Sequence, residues 1–226
     1  MSVNGEKMVI NQILTGDSRE LCKDIPDHSI DLIFTDPPYL REYLYLYDWL
    51  ASEAPRMLKP GGFLAVYVGI YHLANVVKRM DTMEFFMELV ILGGGYGSML
   101  WQRRVIGSHK CILLYRPMGG TGLPRCNIVS WFRGTGQDKR FHVWGQDEAS
   151  ARYYIDCLSK TGDLVLDPFC GGGTTPAMCK VLGRSCIAFE IVPGHAEIAQ
   201  KRVLVQQMPL MDIPADFQST LPYRDR

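Results

Sequence analysis

Five consecutive residues, Thr35-Asp36-Pro37-Pro38-Tyr39, place a carboxylate, two imino acids and a phenol directly after the apolar run Ile30 to Phe34. Two prolines in a row fix φ and withhold two amide donors, so strand and helix both stop there and backbone carbonyls face the space beyond. A rigid set of acceptors results. The Asp36 carboxylate and the Pro37 carbonyl can each accept a hydrogen bond from one exocyclic NH2 group, and the Tyr39 ring offers a face on which a flat heterocycle can stack. The plainer reading is a strand-ending turn in which Asp36 caps the next helix and Tyr39 packs in the core.

A second stretch carries chemistry far along the chain. Leu164-Val165-Leu166-Asp167-Pro168-Phe169-Cys170-Gly171-Gly172-Gly173-Thr174-Thr175 reads as a strand, a glycine loop and the start of a helix running through Leu182. The next strand, Ser185 to Phe189, ends on Glu190, 19 residues beyond Gly171. Glycines let backbone approach a ligand closely, and an acid at the end of the following strand is placed to grip ribose hydroxyls. The loop is not Gly-x-Gly-x-x-Gly and no Lys-Ser or Lys-Thr follows, so a dinucleotide or a triphosphate is less well supported.

These two stretches need a scaffold that delivers both to one place. Asp-Leu-Ile-Phe before the first motif and Leu-Val-Leu before the second are short apolar runs of the kind buried in parallel sheets, whose ligands sit beyond the strands' C-terminal ends. Met8 to Leu14 is expected to form a short strand delivering Asp17 to the same edge. The aromatic run Tyr43, Tyr45, Tyr47, Trp49 suits either a core helix or, in part, a mobile wall over a bound ring. Arg56 to Gly62 reads as a helix ending at a glycine turn, followed by a strand from Phe63 to Val68. A helix from about 73 to 80, strands near 86–92 and 111–115, and helices over 149–159 and from Pro193 onward complete the pattern. Between Pro117 and Gly136, Gly, Pro and Arg suggest an excursion over the surface, and beyond Gln206 three prolines suggest an irregular tail.

The 226 residues suffice for one sizeable core and are short for two domains. No apolar stretch approaches the ~20 residues needed to cross a bilayer, and the start lacks an export signal, so an intracellular protein of the cytoplasm or nucleoid is expected, with no membrane partner. Seven cysteines without a Cys-x-x-Cys pair point to reduced, mostly buried thiols and no metal site. Formal net charge is zero, yet between Gly93 and Arg140 eight basic residues (Arg103, Arg104, Lys110, Arg116, Arg125, Arg133, Lys139, Arg140) face one acid, Asp138. A basic strip on a neutral body suits phosphate binding, and equally an ordinary solvated face.

The Asp36 string and the Asp167 to Thr175 loop together resemble the catalytic and cofactor motifs of the DNA amino-methyltransferases that modify N6 of adenine or N4 of cytosine. Gly16-Asp17, the Asp36 motif, Leu58-Lys59-Pro60-Gly61-Gly62, His109-Lys110 and the Phe169 loop come in the order of the β group of that family, in which the catalytic motif precedes the cofactor loop. The resemblance implies a Rossmann-like α/β fold with a seven-stranded, mostly parallel sheet, helices on both faces and a circularly permuted motif order, so that Asp36 and Asp167 lie adjacent in space. It implies S-adenosylmethionine as cofactor, held by Asp17, Gln146, Asp167, Phe169, Gly171, Gly173, Thr174 and Glu190, with Asp36, Pro37, Pro38 and Tyr39 catalytic and DNA as partner. Asp36, where serine would suit cytosine, points to adenine N6. Many members carry His-Pro-x-Gln-Lys-Pro where this chain has His142-Val143-Trp144-Gly145-Gln146-Asp147, which leaves Gln146 as a neutral donor in place of a lysine. The segment left for target recognition, about 93–140, is short, so selectivity is expected to be low or to need a homodimer or another protein. Methylation of RNA bases or a protein glutamine, and a non-catalytic DNA-binding module, are the competing readings.

Overall fold

The computed structural model describes residues 2–3, 6–7, 10–93, 97–134 and 147–205. Gln146, the residues ahead of Ile10 expected to begin the first strand, and the tail from 206 lie outside the described residues. In chain order the elements are β1 (Ser2–Val3), β2 (Glu6–Lys7), β3 (Gln12–Thr15), α1 (Ser18–Leu21), β4 (Ile30–Thr35), α2 (Tyr45–Met57), β5 (Leu58–Val68), α3 (Leu73–Arg79), β6 (Met83–Leu92), β7 (Ser98–Leu100), β8 (Val105–Gly107), β9 (His109–Pro117), β10 (Trp131–Arg133), α4 (Glu148–Leu158), β11 (Leu164–Asp167), α5 (Thr174–Leu182), β12 (Ser185–Glu190) and α6 (Pro193–Val205).

Among the described residues the main sheet has eight strands in the order β10-β6-β9-β5-β4-β11-β12-β3. All neighbours pair in parallel except at β9, which runs antiparallel to both β5 and β6. The expected count was seven. The addition is β10, three residues that continue the edge beside Val90 to Leu92. Its brevity, inside a stretch rich in Gly, Pro and Arg, left no alternation to read.

Period-two alternation in the central strands separates two cores. On β5, Leu64, Val66 and Val68 join α2 and α3 on one face, while Phe63, Ala65 and Tyr67 join α4, α5 and α6 on the other. Helices therefore cover both faces, as parallel strands buried on both sides require. The expected glycine turn after α2 is absent: α2 ends at Met57 and β5 begins at once at Leu58. Gly62 instead serves the sheet, because a Cβ there would lie 2.8 Å from the Asp31 carbonyl oxygen on β4.

The topology divides between β4 and β11. From β11 the chain winds through α5 to β12 and α6, whereas β4 leads through α2 to β5 on the opposite side. The crevice beyond the C-terminal ends of these two strands is the switch point at which open α/β sheets bind ligands.

Candidate active site

The register puts the chemistry-bearing strand ends in one row. Glu190 pairs with Thr15, Asp167 with Ala188, Leu166 with Ile33 and Thr35 with Val66, so the turns after β3, β4, β11 and β12 emerge side by side. Because β9 is antiparallel, its N-terminal residues reach the same edge and bring Lys110 to it. A cavity of about 640 Å³ opens there, lined by Asp36 to Tyr39, by Asp17, by Asp167 to Gly172 and by Glu190 and Lys110.

The two motifs meet directly. Thr35 Oγ1 donates to Asp167 Oδ1 at 2.7 Å, and the Phe169 amide donates to the same oxygen at 3.2 Å. Thr175, in the first turn of α5, donates to the Phe34 carbonyl at 3.3 Å, so the cofactor-type loop and the acidic turn are tied at two points. Burial pushes the Asp167 carboxyl up to about 7, against the lowering effect of its donors. Asp36 is pushed up to about 6 by the same desolvation, restrained by the nearby Lys110 ammonium and by the Tyr39 hydroxyl, which donates to Asp36 Oδ1. That last bond was not expected: Tyr39, which lines the cavity, is anchored by its phenol. Burial and the Asp36 charge together hold the Tyr39 hydroxyl well above its ordinary value, so it remains a donor.

The glycine loop is shaped by two left-handed residues, Gly171 at φ 49° and Gly173 at φ 76°. A Cβ on Gly171 would meet nothing within 4 Å, so bare backbone faces open space. One on Gly173 would lie 2.8 Å from Ala199 Cβ on α6. Glu190 folds back on this loop, accepting from the Gly171 amide at 2.8 Å through Oε2 and from the Val192 amide at 2.9 Å through Oε1. Each carboxylate oxygen keeps a further lone pair, so Glu190 both braces the loop and retains acceptor capacity toward the cavity. Thr174 Oγ1 accepts from the buried Arg202 at 3.0 Å, and Phe169 packs edge-on against Trp49 with centroids 6.0 Å apart.

Asp17 caps α1 through the Arg19 amide at 2.9 Å and is clamped by the Arg19 guanidinium at 2.7 Å, which lowers its carboxyl below the usual range. The aromatic run divides between the core and the cavity lining. Tyr47 is buried, donating to the Tyr67 carbonyl at 3.1 Å, whereas Tyr43 and Tyr45 line the cavity. The basic strip also separates. Arg116 pairs with Glu84 at 2.6 Å, Arg125 donates to the Ser159 carbonyl at 2.8 Å, Lys110 is half-buried at the cavity, and Arg103 and Arg104 are exposed on the β7–β8 hairpin.

Sequence reasoning did not single out Lys110, Tyr67 or Arg202 for the site. Arg202, fully buried on α6, donates to the Gly172 carbonyl at 2.9 Å and to Glu148 Oε1 on α4 at 2.6 Å, fixing the loop from behind. The available signal for Lys110 was its place in the His109-Lys110 pair that opens the apolar run from Cys111 to Tyr115. All seven cysteines are unbridged, six buried and Cys126 exposed.

Residues 130–201 match the family model described as DNA methylase, N6/N4 type. Type II methyltransferase M.HinfI of Haemophilus influenzae is 27% identical over 86% of this chain and 68% of its own. The M1.HpyAVI-SAM complex superposes with a TM-score of 0.71 at 22% identity, over 85% of this chain and 98% of that one. The cytosine-N4-specific PvuII DNA methyltransferase superposes at 0.72 and 18% identity, over 89% of this chain and 86% of that one. In sequence and motif order the chain is similar to the S-adenosylmethionine-dependent DNA amino-methyltransferases of the N6/N4 family, and it shares their fold.

Proposed function

We propose that this protein methylates the N6 amino group of adenine in DNA, with S-adenosylmethionine as the methyl donor. The observation that carries the reading is the meeting of the Asp36-Pro37-Pro38-Tyr39 turn and the glycine loop at one cavity, joined by the Thr35 to Asp167 hydrogen bond. The residues present suit the cofactor: the carboxylates of Asp17, Asp36, Asp167 and Glu190 line a cavity fit for a sulfonium and an ammonium, and Gly171 offers bare backbone. When bound, S-adenosylmethionine supplies an electrophilic methyl group.

Catalysis by the chain's own residues is a matter of geometry and of one proton. An aromatic amine is a poor nucleophile because its lone pair is delocalised into the ring. Accepting its two N–H bonds at Asp36 and at the Pro37 carbonyl favours a tetrahedral nitrogen with the lone pair directed out of the ring plane. The nitrogen must shed a proton as it is methylated, and Asp36, held near 6, is suited to accept it at neutral pH. The Tyr39 ring holds the base while its phenol steadies the carboxylate. In duplex DNA the base must leave the stack, at a cost of about a few kcal/mol.

An acid at position 36 supports adenine. Cytosine N4 is the second reading, favoured by the likeness to the cytosine-N4-specific PvuII fold, since both bases present the same exocyclic amine to the same turn. Labelled methyl transfer to unmethylated duplex DNA, followed by nucleoside analysis, decides between N6-methyladenine and N4-methylcytosine. Asp36→Ala is expected to lower the rate by at least ~10²-fold while leaving cofactor binding by calorimetry intact; undiminished turnover would remove Asp36 from its assigned role.

A further inference from the structure

The β7–β8 hairpin exposes side chains that folded proteins usually cover. Met99 pairs with Ile106 and Leu100 with Val105, and at the tip Trp101 is 81% exposed, with Ile106 at 60%. Arg103 and Arg104 follow the tryptophan, the latter turning the chain at φ 53°, and no acid occurs between Gly97 and Lys110. So short a hairpin is not stable by itself. It is docked on Tyr71, whose hydroxyl donates to Gln102 Oε1 at 2.5 Å and whose ring lies 4.3 Å from the Arg103 guanidinium carbon.

That docking fixes where the hairpin stands. Tyr71 lies two residues beyond Gly69, where an added Cβ would be 3.0 Å from Tyr39 Cβ, so the platform under the hairpin also backs the Tyr39 ring. The second hairpin strand leads on into β9 and to Lys110 at the cavity. Arg41 shares the neighbourhood, acting with Arg103 on His72. An exposed indole, with Arg103 and Arg104 beside it in sequence, thus stands on the same segment, Gly69 to Tyr71, that packs behind Tyr39 at the cavity.

We propose that this hairpin enters duplex DNA beside the target, with Trp101 stacking in the gap left by the extruded base and Arg41, Arg103 and Arg104 on the flanking phosphates. The inference rests on the reading of the cavity as a base pocket. An aromatic wedge offsets the lost stacking of the base pairs around the gap, and guanidinium groups suit the phosphates on either side. A protein partner of acidic character is the other occupant that the charge would permit, and its signature differs.

The test is a titration of the full-length protein with a fluorophore-labelled, mixed-sequence duplex, following anisotropy for binding and tryptophan emission for stacking. Wild type is expected to bind with quenched emission, and Trp101→Phe to bind while losing most of that quench. Trp101→Ala, whose tip position spares the core, is expected to methylate duplex DNA roughly tenfold or more slowly. Binding with the same quench in Trp101→Phe, or an unchanged duplex rate in Trp101→Ala, overturns the wedge and leaves the base-methylation reading standing. Absence of any anisotropy change in wild type overturns both together.

Discussion

Asp36 sits among partners that pull its proton affinity in opposite directions, and the balance is measurable. Desolvation pushes it up to about 6, and the Lys110 ammonium opposes that push. The methylation rate is therefore expected to rise with pH through about 6 as the carboxylate forms, and Lys110→Met to move the inflection upward; a pH-rate profile unmoved by that substitution would detach Lys110 from Asp36. Asp167 follows the same sign in stability. Its folded value of about 7 lies above the ordinary 3.8, so the folded protein holds the proton more tightly. The contribution is full below about pH 4 and is lost as pH rises through 7. Asp167→Asn, which keeps an acceptor for Thr35, is expected to be more stable than wild type at pH 8 by on the order of 1–3 kcal/mol, and no more stable near pH 4. Urea midpoints at the two pH values check it.

At the scale of elements, the glycine loop depends on α6 lying close behind it. Gly173→Ala forces a left-handed alanine and a Cβ 2.8 Å from Ala199 Cβ, and is expected to destabilise by ~1–3 kcal/mol in denaturant titration and to weaken cofactor binding. Loss of Arg202 strikes the same loop by another route: Arg202→Met leaves the Gly172 carbonyl without this donor and Glu148 without this cation, at a cost of ~2–3 kcal/mol by the same titration. Such elements were legible to different degrees. The Asp36 turn and the glycine loop could be read because each gathers its chemistry into a few contiguous residues next to an apolar strand. Glu190 could be read from its distance to the loop, but not its double hydrogen bond to backbone. Lys110 could not be ranked, because its place depends on β9 running antiparallel between β5 and β6, a pairing between segments far apart in sequence. Arg202 resembled any helix-surface base until α6 packed over the loop. The start of β5 was misread because Gly61 and Gly62 look like a helix stop, whereas Gly62 is required by the nearby Asp31 carbonyl oxygen on β4.

At the scale of the whole molecule, the sheet joins halves of the chain that are made far apart in time. The pairing of β4 with β11 links Leu32 to Val165, and the hydrogen bond between Thr35 and Asp167 spans 132 positions. The acidic turn and its neighbours on β5 and β9 thus belong to the first half, and the glycine loop with Glu190 to the last third. On a ribosome this order has a cost. Until β11 emerges, β4 is an unpaired edge carrying buried side chains such as Leu32 and Phe34, the kind of apolar edge that recruits foreign strands. Completion of the cavity then coincides with closure of that edge, so a half-synthesised chain lacks the glycine loop and carries an open apolar edge. The same seam makes the protein divisible: two polypeptides produced separately by opening the chain between residues 134 and 147 are each expected to be insoluble or inert alone, and to regain methyl transfer when expressed together.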